Sequence, residues 1–393
     1  MKTKQLLLST VAAAFLAAPV AGALAQGKTG IVKIGVNETL SGKFVGVGLP
    51  PTTAIRLAVH EVNEKGFKVG DTTYKFEPII LDNRSEGSVM VANATRLIED
   101  DKVKVIFGPT LSLLANQSQE ITVPANVINF SAAGSWQGLG YLKDPKKPLL
   151  FGTQLPLPDL ALSEVDAMKQ LGAKKIAYMG SDDDTTRGNM GPFLAEAKKQ
   201  GLQAELILFP YNTADFSSFV TRAKSMGLEA VFFLHPQVSA PNLMRAMVEL
   251  KAFPKGFAGR GMLPAAALTQ AIGKPVPFPF ISVNATPDLS YPATPAQKAF
   301  ADKLKGTGVD LGATINFAFF SYDFVPMLAA AMTKAGTVTD TAKIAAALKT
   351  ITYNGAGGKV CIAKDVQTAI YDGAQIIVRE GKVSAKAFPS SCK

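Results

Sequence analysis

The sequence predicts an α/β protein built from parallel sheets flanked by helices, and three observations support this prediction. Strand-like and helix-like segments alternate through most of the chain after residue 30. These segments form two successive units, separated near 145–158 by stretches rich in proline and charge. The 393 residues, of which 47% are hydrophobic and 18% charged, are enough for two or three globular domains with sizeable cores.

The first unit reads as four strands with a helix between each pair. Apolar runs bounded by turn residues predict strands at 31–40, 74–82, 103–109 and 127–131. Apolar residues at helical spacing predict helices at 52–66, 85–101 and 114–125. Ser85 is a candidate N-cap of the second helix, and Pro124 interrupts the third. This order favours a parallel sheet with helices on both faces.

The second unit repeats the alternation. Helices are predicted at 159–173, 187–201, 215–228 and 240–253, and strands at 174–182, 203–210 and 229–236, with a further short strand near 255–259. Two more helical stretches follow, at 295–305 and 312–335, and no third unit of alternating strands and helices is predicted around them. We therefore expect the chain to return and complete the first unit.

The first 25 residues have the features of a secretory signal peptide. Lys2 and Lys4 form a basic start, an apolar run of small residues follows, and Ala-Leu-Ala at 23–25 is a cleavage site. A transmembrane anchor is the alternative, although a proline and a glycine interrupt the run. We expect the mature chain to begin near Gln26 and to reside in the periplasm.

The basic residues of the mature chain are scattered. Loss of the signal peptide leaves 39 basic and 31 acidic side chains, a formal net charge of +8. The sequence has no basic stripe with interleaved aromatic residues, which argues against a nucleic-acid partner.

Cys361 and Cys392 are the two cysteines of the chain. An even count in an exported protein predicts one disulfide. It would tie down the C-terminal tail and stabilise the fold by about 3–4 kcal/mol on a loop-entropy estimate. Two free thiols are the alternative.

Enzymatic signatures are missing from the sequence. The two histidines, His60 and His235, have no partner at metal-ligand spacing, and His60 reads as a surface residue of its helix. No nucleophile elbow, Walker loop or dinucleotide-binding glycine motif follows a predicted strand. The acidic segment at 181–184 could hold a cation or form a solvated loop. We predict a protein that is not an enzyme and that needs no cofactor.

Candidate binding residues follow the carboxyl ends of the predicted strands, where ligands bind in open α/β sheets. In the first unit, Ser112 stands at the start of a helix and the segment SAAGSW occupies 131–136. Their hydroxyls and backbone N–H groups suit an anionic group. The corresponding positions of the second unit carry Arg187, His235 and Arg260. Two such units facing each other would form a cleft that closes around a small molecule.

Three segments carry a resemblance to a known family. VKIGVNETLSGKFVGVG, GPTLSLLANQ and INFSAAGSW resemble type I periplasmic binding proteins of the leucine/isoleucine/valine-binding family, the solute receptors of ABC importers. The similarity in order and spacing extends over essentially the whole mature chain. It implies a Venus-flytrap fold with two lobes, three hinge crossings and the ligand between the lobes.

The resemblance also implies lobe boundaries and partners. We expect residues 26–151 and 283–360 in the first lobe, and residues 152–282 and 361–393 in the second. The implied partners are a small organic acid or amino acid as ligand, and the membrane permease and ATPase of an ABC importer. We expect a monomer, because a solute receptor must present both lobes to its permease.

Family members hold the carboxylate of the ligand with residues that match Ser112, the backbone of Ala133, and Ser135 of this chain. A ring or aliphatic wall follows the Ser-Gly turn of the family, and here Phe44 stands in that region. Trp136, the only tryptophan, would either stack on the ligand or pack in the core.

Departures from the family pattern bear on the chemistry of the ligand. Amino-acid binders place an acid after the F-x-G strand to pair the ammonium, whereas this chain has Arg260 there. Burying an unpaired ammonium costs on the order of 2–5 kcal/mol. Unless Asp159, Asp183 or Asp184 supplies the charge, the sequence predicts an organic acid without an ammonium, either an aromatic carboxylate or a dicarboxylate.

Other interpretations stay open at this point. Arg187 and Arg260 would bind a second anionic or polar group of the ligand, or they are ordinary charges on the lobe surface. A branched-chain or other amino-acid binder of the same importer class is one alternative function. A ligand-sensing receptor without transport is another.

Overall fold

The computed structural model describes residues 28–153, 156–234, 239–260, 270–273, 276–284, 289, 291–292, 294–363, 365–371, 373–380, 382–388 and 392. The predicted signal peptide and His235 lie outside these residues. Two large sheets, each flanked by helices, form the two lobes, so the predicted fold class is confirmed.

The first sheet has six strands in the order β2-β3-β1-β4-β5-β6. All neighbours are parallel except β2 and β3, which form an antiparallel hairpin. On β1 the side chains of Val32, Ile34 and Val36 are buried at alternate positions, as in a strand covered on that face by a core. The strands are β1 Lys28–Glu38, β2 Phe67–Val69, β3 Thr72–Asp82, β4 Val105–Phe107, β5 Ile128–Ser131 and β6 Leu150–Gly152.

Four helices follow strands of this sheet. They are α1 Val45–Lys65, α2 Gly87–Glu99, α3 Ser112–Thr122 and α4 Gly134–Gly138, and a short 3-10 turn covers Tyr141–Lys143.

Two local predictions in this lobe are wrong. Helix α1 starts at Val45, seven residues before the predicted start, and includes Pro50 and Pro51. Both prolines are buried, and their packing outweighs the backbone hydrogen bonds that they cannot make. Ser85 is not the N-cap of α2, since Glu86 takes that position and the Ser85 hydroxyl accepts a hydrogen bond from the backbone N–H of Phe44 at 3.1 Å.

The second sheet begins with five parallel strands in the order β11-β10-β9-β7-β8. They are β7 Lys175–Ser181, β8 Gln203–Phe209, β9 Ala230–Leu234, β10 Gly256–Arg260 and β11 Phe280–Asn284. The helices around them are α5 Leu157–Gln170, α6 Asp184–Lys199, α7 Ser217–Ser225 and α8 Ala240–Glu249.

The C-terminal part of the chain contributes to both lobes. Its helices are α9 Pro295–Gly306, a 3-10 segment Gly312–Phe317, α10 Ala318–Ala335 and α11 Thr341–Leu348. A small antiparallel sheet follows, made of β12 Thr352–Gly355, β13 Gly358–Ile362 and β14 Ala369–Ile370. The last strands, β15 Gly373–Arg379 and β16 Lys382–Phe388, extend the second sheet in antiparallel fashion from β11.

Helices α9 and α10 pack on the first sheet, in one core with its strands. The rings of Phe130 on β5 and Phe324 on α10 meet edge to face, with centroids 4.7 Å apart. The segment Ile315–Ala335 is long and apolar enough to cross a membrane by length and composition alone, and 65% of an apolar 18-residue window within it is buried in the protein. Its composition therefore fits the central helix of this core. The second sheet has its own cores on its two faces.

Among the described elements, the chain passes from one lobe to the other three times, after β6, after β11 and after β14. The predicted lobe boundaries stay a prediction. The expected change from the first to the second lobe, between residues 360 and 361, falls within β13. The predicted disulfide is present and joins Cys361 of β13 to Cys392. It fastens the tail near the last crossing, where Cys392 packs with Leu160 of α5.

Candidate ligand-binding site

The carboxyl ends of β1, β4 and β5 face the second lobe, and the loops that follow these strands touch it directly. The Lys43 ammonium donates a hydrogen bond to Asn212 Oδ1 at 3.1 Å. The ring of Phe44 meets Tyr211 edge to face, with centroids 6.3 Å apart. The lobes therefore meet on the side where the sequence places the ligand site.

The turn after β1 is held by Asp82, at the end of β3. Its carboxylate accepts hydrogen bonds from the N–H groups of Leu40, Ser41 and Arg84 and from the Ser41 hydroxyl. Burial disfavours the charged carboxylate, but these four bonds outweigh it and hold the pKa of Asp82 below its ordinary value. Phe44, half-buried, is thereby presented to the second lobe from a fixed turn.

Ser112 is the first residue of α3, and its hydroxyl contacts the second lobe. Ser112 Oγ accepts a hydrogen bond from Thr185 Oγ1 of α6 at 3.2 Å, and the backbone N–H of Ser135 approaches it at 3.5 Å. The structure therefore brings Ser112 and Ser135 together, as the sequence predicts for two residues that share one anionic group.

Ser135 lies in the first turn of α4 and is fully buried. Its hydroxyl donates to Asn116 Oδ1 at 2.8 Å, and Asn116 Nδ2 donates across the cleft to Asp184 Oδ2 at 3.1 Å. Sequence reasoning missed Asn116. Its position four residues after Ser112, on the same face of one helix, is the signal that could have found it.

Helices α4 and α6 approach each other through two glycines. A Cβ atom added to Gly188 would lie 2.3 Å from the Cα of Gly138, and one added to Gly138 would lie 2.5 Å from the Cα of Gly188. Real Cβ atoms do not come this close to backbone atoms, so only glycine at both positions permits this contact.

Ala133 and Trp136 flank Ser135 and are both buried. The N–H of Ala133 donates to Ser131 Oγ at 3.0 Å. The Trp136 ring packs in a cluster with Ala115 and Leu142, and its Nε1 has no hydrogen-bond partner among the described residues. Of the two roles left open for Trp136, core packing is thus observed, and contact with a ligand stays a prediction.

Glu38, at the end of β1, is a buried carboxyl group that the sequence reasoning did not single out. It accepts hydrogen bonds from the Thr110 N–H at 3.0 Å and from the Thr110 hydroxyl at 2.7 Å. Burial raises the pKa of Glu38 to about 7, against the opposing effect of these bonds. Glu38 thus anchors the loop that leads into Ser112.

Arg260 points into the second lobe and pairs with Glu164 of α5. Its guanidinium also donates to Asn189 Oδ1 of α6 at 3.0 Å. Burial raises the pKa of Glu164, although Arg260 opposes this shift. A ligand contact by Arg260 stays a prediction, and the structure shows that its charge already has a partner.

The other charged candidates of the second lobe, Arg187 and the acidic segment at 181–184, lie at or just before the first turn of α6. Arg187 is exposed and its guanidinium lies 2.7 Å from Asp182 Oδ1. Asp183 is the N-cap of α6 and accepts from the Thr186 N–H at 2.8 Å. Asp182 and Asp183 of the acidic segment at 181–184 thus have partners within the second lobe, whereas Asp184 binds Asn116 of the first lobe. Ligand contacts by Arg187 and by His235, which is outside the described residues, stay predictions.

A cavity of about 550 Å³ lies elsewhere, at the amino ends of β4, β5 and β6. Lys104, Asn126, Leu149 and the start of α11 line it. Ligands of parallel sheets bind at the opposite, carboxyl ends of the strands. We therefore place the candidate site at the contact between the lobes.

Comparison with known proteins identifies the class. Residues 31–380 match the family described as periplasmic binding protein, so the chain belongs to that family. It is a small-molecule-binding protein of the ABC-transporter type with an extracytoplasmic location, and it is not an enzyme.

Individual relatives narrow the branch of the family. The chain is 26% identical over 360 residues to the Leu/Ile/Val-binding protein BraC3 of Rhizobium johnstonii, covering 88% of this chain and 89% of that protein. The resemblance to the leucine/isoleucine/valine-binding branch is thus confirmed.

Solved structures share the two-lobed fold. A solute-binding protein of R. palustris in complex with 4-hydroxybenzoate superposes with a TM-score of 0.75 at 23% identity, over 92% of this chain and 97% of that one. LivJ of Streptococcus pneumoniae in complex with isoleucine gives a TM-score of 0.70 at 20% identity, over 92% of this chain and 100% of that one.

Proposed function

We propose that this protein is the periplasmic receptor of an ABC importer for an organic acid without an ammonium group, either an aromatic carboxylate or a dicarboxylate. Ser112, the backbone of Ala133, and Ser135 hold the carboxylate, and Phe44 contacts the remainder of the ligand. For this the Ala133 N–H exchanges its bond to Ser131 Oγ for one to the ligand. The receptor acts as a monomer that delivers its ligand to a permease and ATPase in the membrane.

The observation that carries this proposal concerns the acidic groups near the side of the second lobe that meets the first lobe. These groups already have partners in the protein. Glu164 pairs with Arg260, and Asp182 pairs with Arg187. Asp183 caps α6. A ligand ammonium would have to compete with these partners, at a cost that an organic acid avoids.

Aromatic side chains on both lobes support the aromatic alternative. Phe44 of the first lobe and Tyr211 of the second face each other across the lobe contact. Edge and face contacts with a flat ring are favourable for such side chains. Similar structures include complexes with 4-hydroxybenzoate and with benzoate, which fits a ligand ring next to these two side chains.

An amino acid is the second candidate, and Asp159 is the observation that favours it. Asp159 lies in the first turn of α5, directly after the first crossing, and burial raises its pKa. A ligand ammonium next to this carboxyl would offset the cost of burying its negative charge. If leucine binds and Asp159→Asn removes the binding, the amino-acid alternative replaces the organic acid.

Substitution of Ser112 tests where the carboxylate binds. Ser112→Ala removes a hydroxyl at the lobe contact, and we expect the affinity for the bound acid to fall by about ten- to a hundredfold, as for a hydrogen bond to a charged group. Isothermal titration calorimetry measures this change. Ser218→Ala, an exposed serine on α7, is the matched control and should bind as the unmodified protein does. Equal affinities of the two variants would show that the carboxylate lies elsewhere.

A further inference from the structure

The side chain of Asn116 connects the two lobes at the candidate site. Asn116 Oδ1 accepts a hydrogen bond from the Ser135 hydroxyl, within the first lobe, at 2.8 Å. Asn116 Nδ2 donates to the Asp184 carboxylate of the second lobe, at 3.1 Å. One amide group therefore has one partner on each side of the cleft.

The chemistry of the partners determines how this amide is oriented. A carboxylate only accepts hydrogen bonds, so the NH₂ group of Asn116 must face Asp184. The carbonyl oxygen then faces Ser135, whose hydroxyl is able to donate. The bond across the cleft is a hydrogen bond to a charged group, which is stronger than one between neutral groups.

Asn116 also lies among other direct contacts between the lobes. Ser112, one turn earlier on α3, meets Thr185, which follows Asp184 on α6. The backbones of Gly138 and Gly188 touch one turn further along α6. The bond from Asn116 to Asp184 thus belongs to a direct contact of the lobes and not to a distant surface pair.

We propose that Asn116 is a positioning residue that latches the closed lobes through Asp184, independently of ligand. This inference rests on the proposed function only in that Ser135, the other partner of Asn116, is taken to meet the ligand carboxylate. The latch itself requires no particular ligand.

Four variants test the latch without ligand. Asn116→Asp places two carboxylates face to face, and we expect the open-to-closed ratio of the lobes to rise about three- to tenfold. Asn116→Ala removes both bonds without adding charge and should open the lobes less. Asp184→Asn keeps an amide–amide bond and should stay near the unmodified protein. The exchange variant, Asn116→Asp with Asp184→Asn, reverses donor and acceptor and should restore closure.

The readout is the distance between spin labels in the two lobes, measured by pulsed electron paramagnetic resonance on the ligand-free protein. The labels are attached at two exposed positions, through Lys68→Cys in the first lobe and Gln203→Cys in the second. Unchanged distances in Asn116→Asp, or no restoration in the exchange variant, would overturn the latch. A residue that only supported the fold would not be rescued by exchanging its partner.

The exchange variant also separates the latch from the proposed function. It keeps a negative charge next to Ser135, so a benzoate or adipate probe should bind at least about tenfold more weakly although the lobes close. If closure is restored and the affinity for the bound acid is also unchanged, the ligand carboxylate does not lie at Ser135. The proposed site would then be wrong, while the latch would stand.

Discussion

At the scale of single residues, the candidate site is organised by polar groups that bind each other. Glu38 binds Thr110, Asn116 binds Ser135 and Asp184, and Arg260 binds Glu164. The serines predicted from the strand ends are indeed adjacent in space. Their supporting partners were not predictable, because the pairs Glu38–Thr110 and Asn116–Asp184 join residues 72 and 68 positions apart.

Glu38 should make the stability of the protein depend on pH. Its pKa is raised from 4.5 to about 7 in the folded protein, so its contribution is fully present below pH 4.5 and is lost as the pH rises through 7. Glu38→Gln does not ionise. The free energy of unfolding of Glu38→Gln, minus that of the unmodified protein, should therefore increase by about 1–3 kcal/mol from pH 5 to pH 8.

Urea unfolding at a series of pH values measures this gain. Glu99→Gln, an exposed position on α2, is the matched control for removal of one carboxylate. A difference between Glu38→Gln and the unmodified protein that stays constant across the pH range would contradict the assignment.

Arg260 offers a second prediction at this scale. Arg260→Met leaves Glu164 buried without its partner and should lower the free energy of unfolding by about 3–5 kcal/mol. Adding Glu164→Leu removes the orphaned charge and should recover most of that loss. Denaturant unfolding measures both effects. Ligand affinity in the double variant then decides the role of Arg260, since a lost affinity would identify it as a ligand contact.

At the scale of elements, sequence patterns located eight of the sixteen described strands and most of the helices, but not every boundary. The alternating residues of β1 and the helical spacing of α2 predicted those elements directly. The start of helix α1 was predicted seven residues too far along the chain, because the apolar spacing begins only after the buried Pro50 and Pro51 of its first turns. The contact of α4 with α6 was not predictable, since it depends on two glycines 50 residues apart that meet only when both lobes are built.

The contact between α4 and α6 should control closure of the lobes. Gly188→Ala places a methyl group against the Cα of Gly138, so the closed lobes would have to move apart. We expect at least about a tenfold loss of ligand affinity, corresponding to about 1.4 kcal/mol. The fold itself should not be weakened, because alanine favours a helix over glycine by about 1 kcal/mol.

Calorimetry and thermal unfolding together measure the two effects. Gly306→Ala, in the last turn of α9, adds the same methyl group where nothing lies within 4 Å. It should leave the affinity unchanged. A Gly188→Ala protein that binds ligand as tightly as this control would show that the lobes do not need this contact.

At the scale of the whole molecule, the two alternating units of the sequence become two lobes with one large sheet each. The return of the chain after residue 295 was predictable because two apolar helices had no unit of their own, and α9 and α10 do pack on the first sheet. The placement of β15 and β16 at the edge of the second sheet was not, because antiparallel edge strands depend on pairing with distant β11. The disulfide was predictable from the cysteine count and the expected export alone.

Calorimetric titration of the mature protein tests most directly whether the ligand is an organic acid without an ammonium group. Benzoate, 4-hydroxybenzoate, adipate, leucine and isoleucine are titrated in parallel under one set of conditions. We expect at least one of the three acids without an ammonium to bind about thirtyfold or more tightly than either amino acid, since an unpaired ammonium costs at least about 2 kcal/mol. Leucine or isoleucine binding as tightly as the best organic acid would contradict the claim.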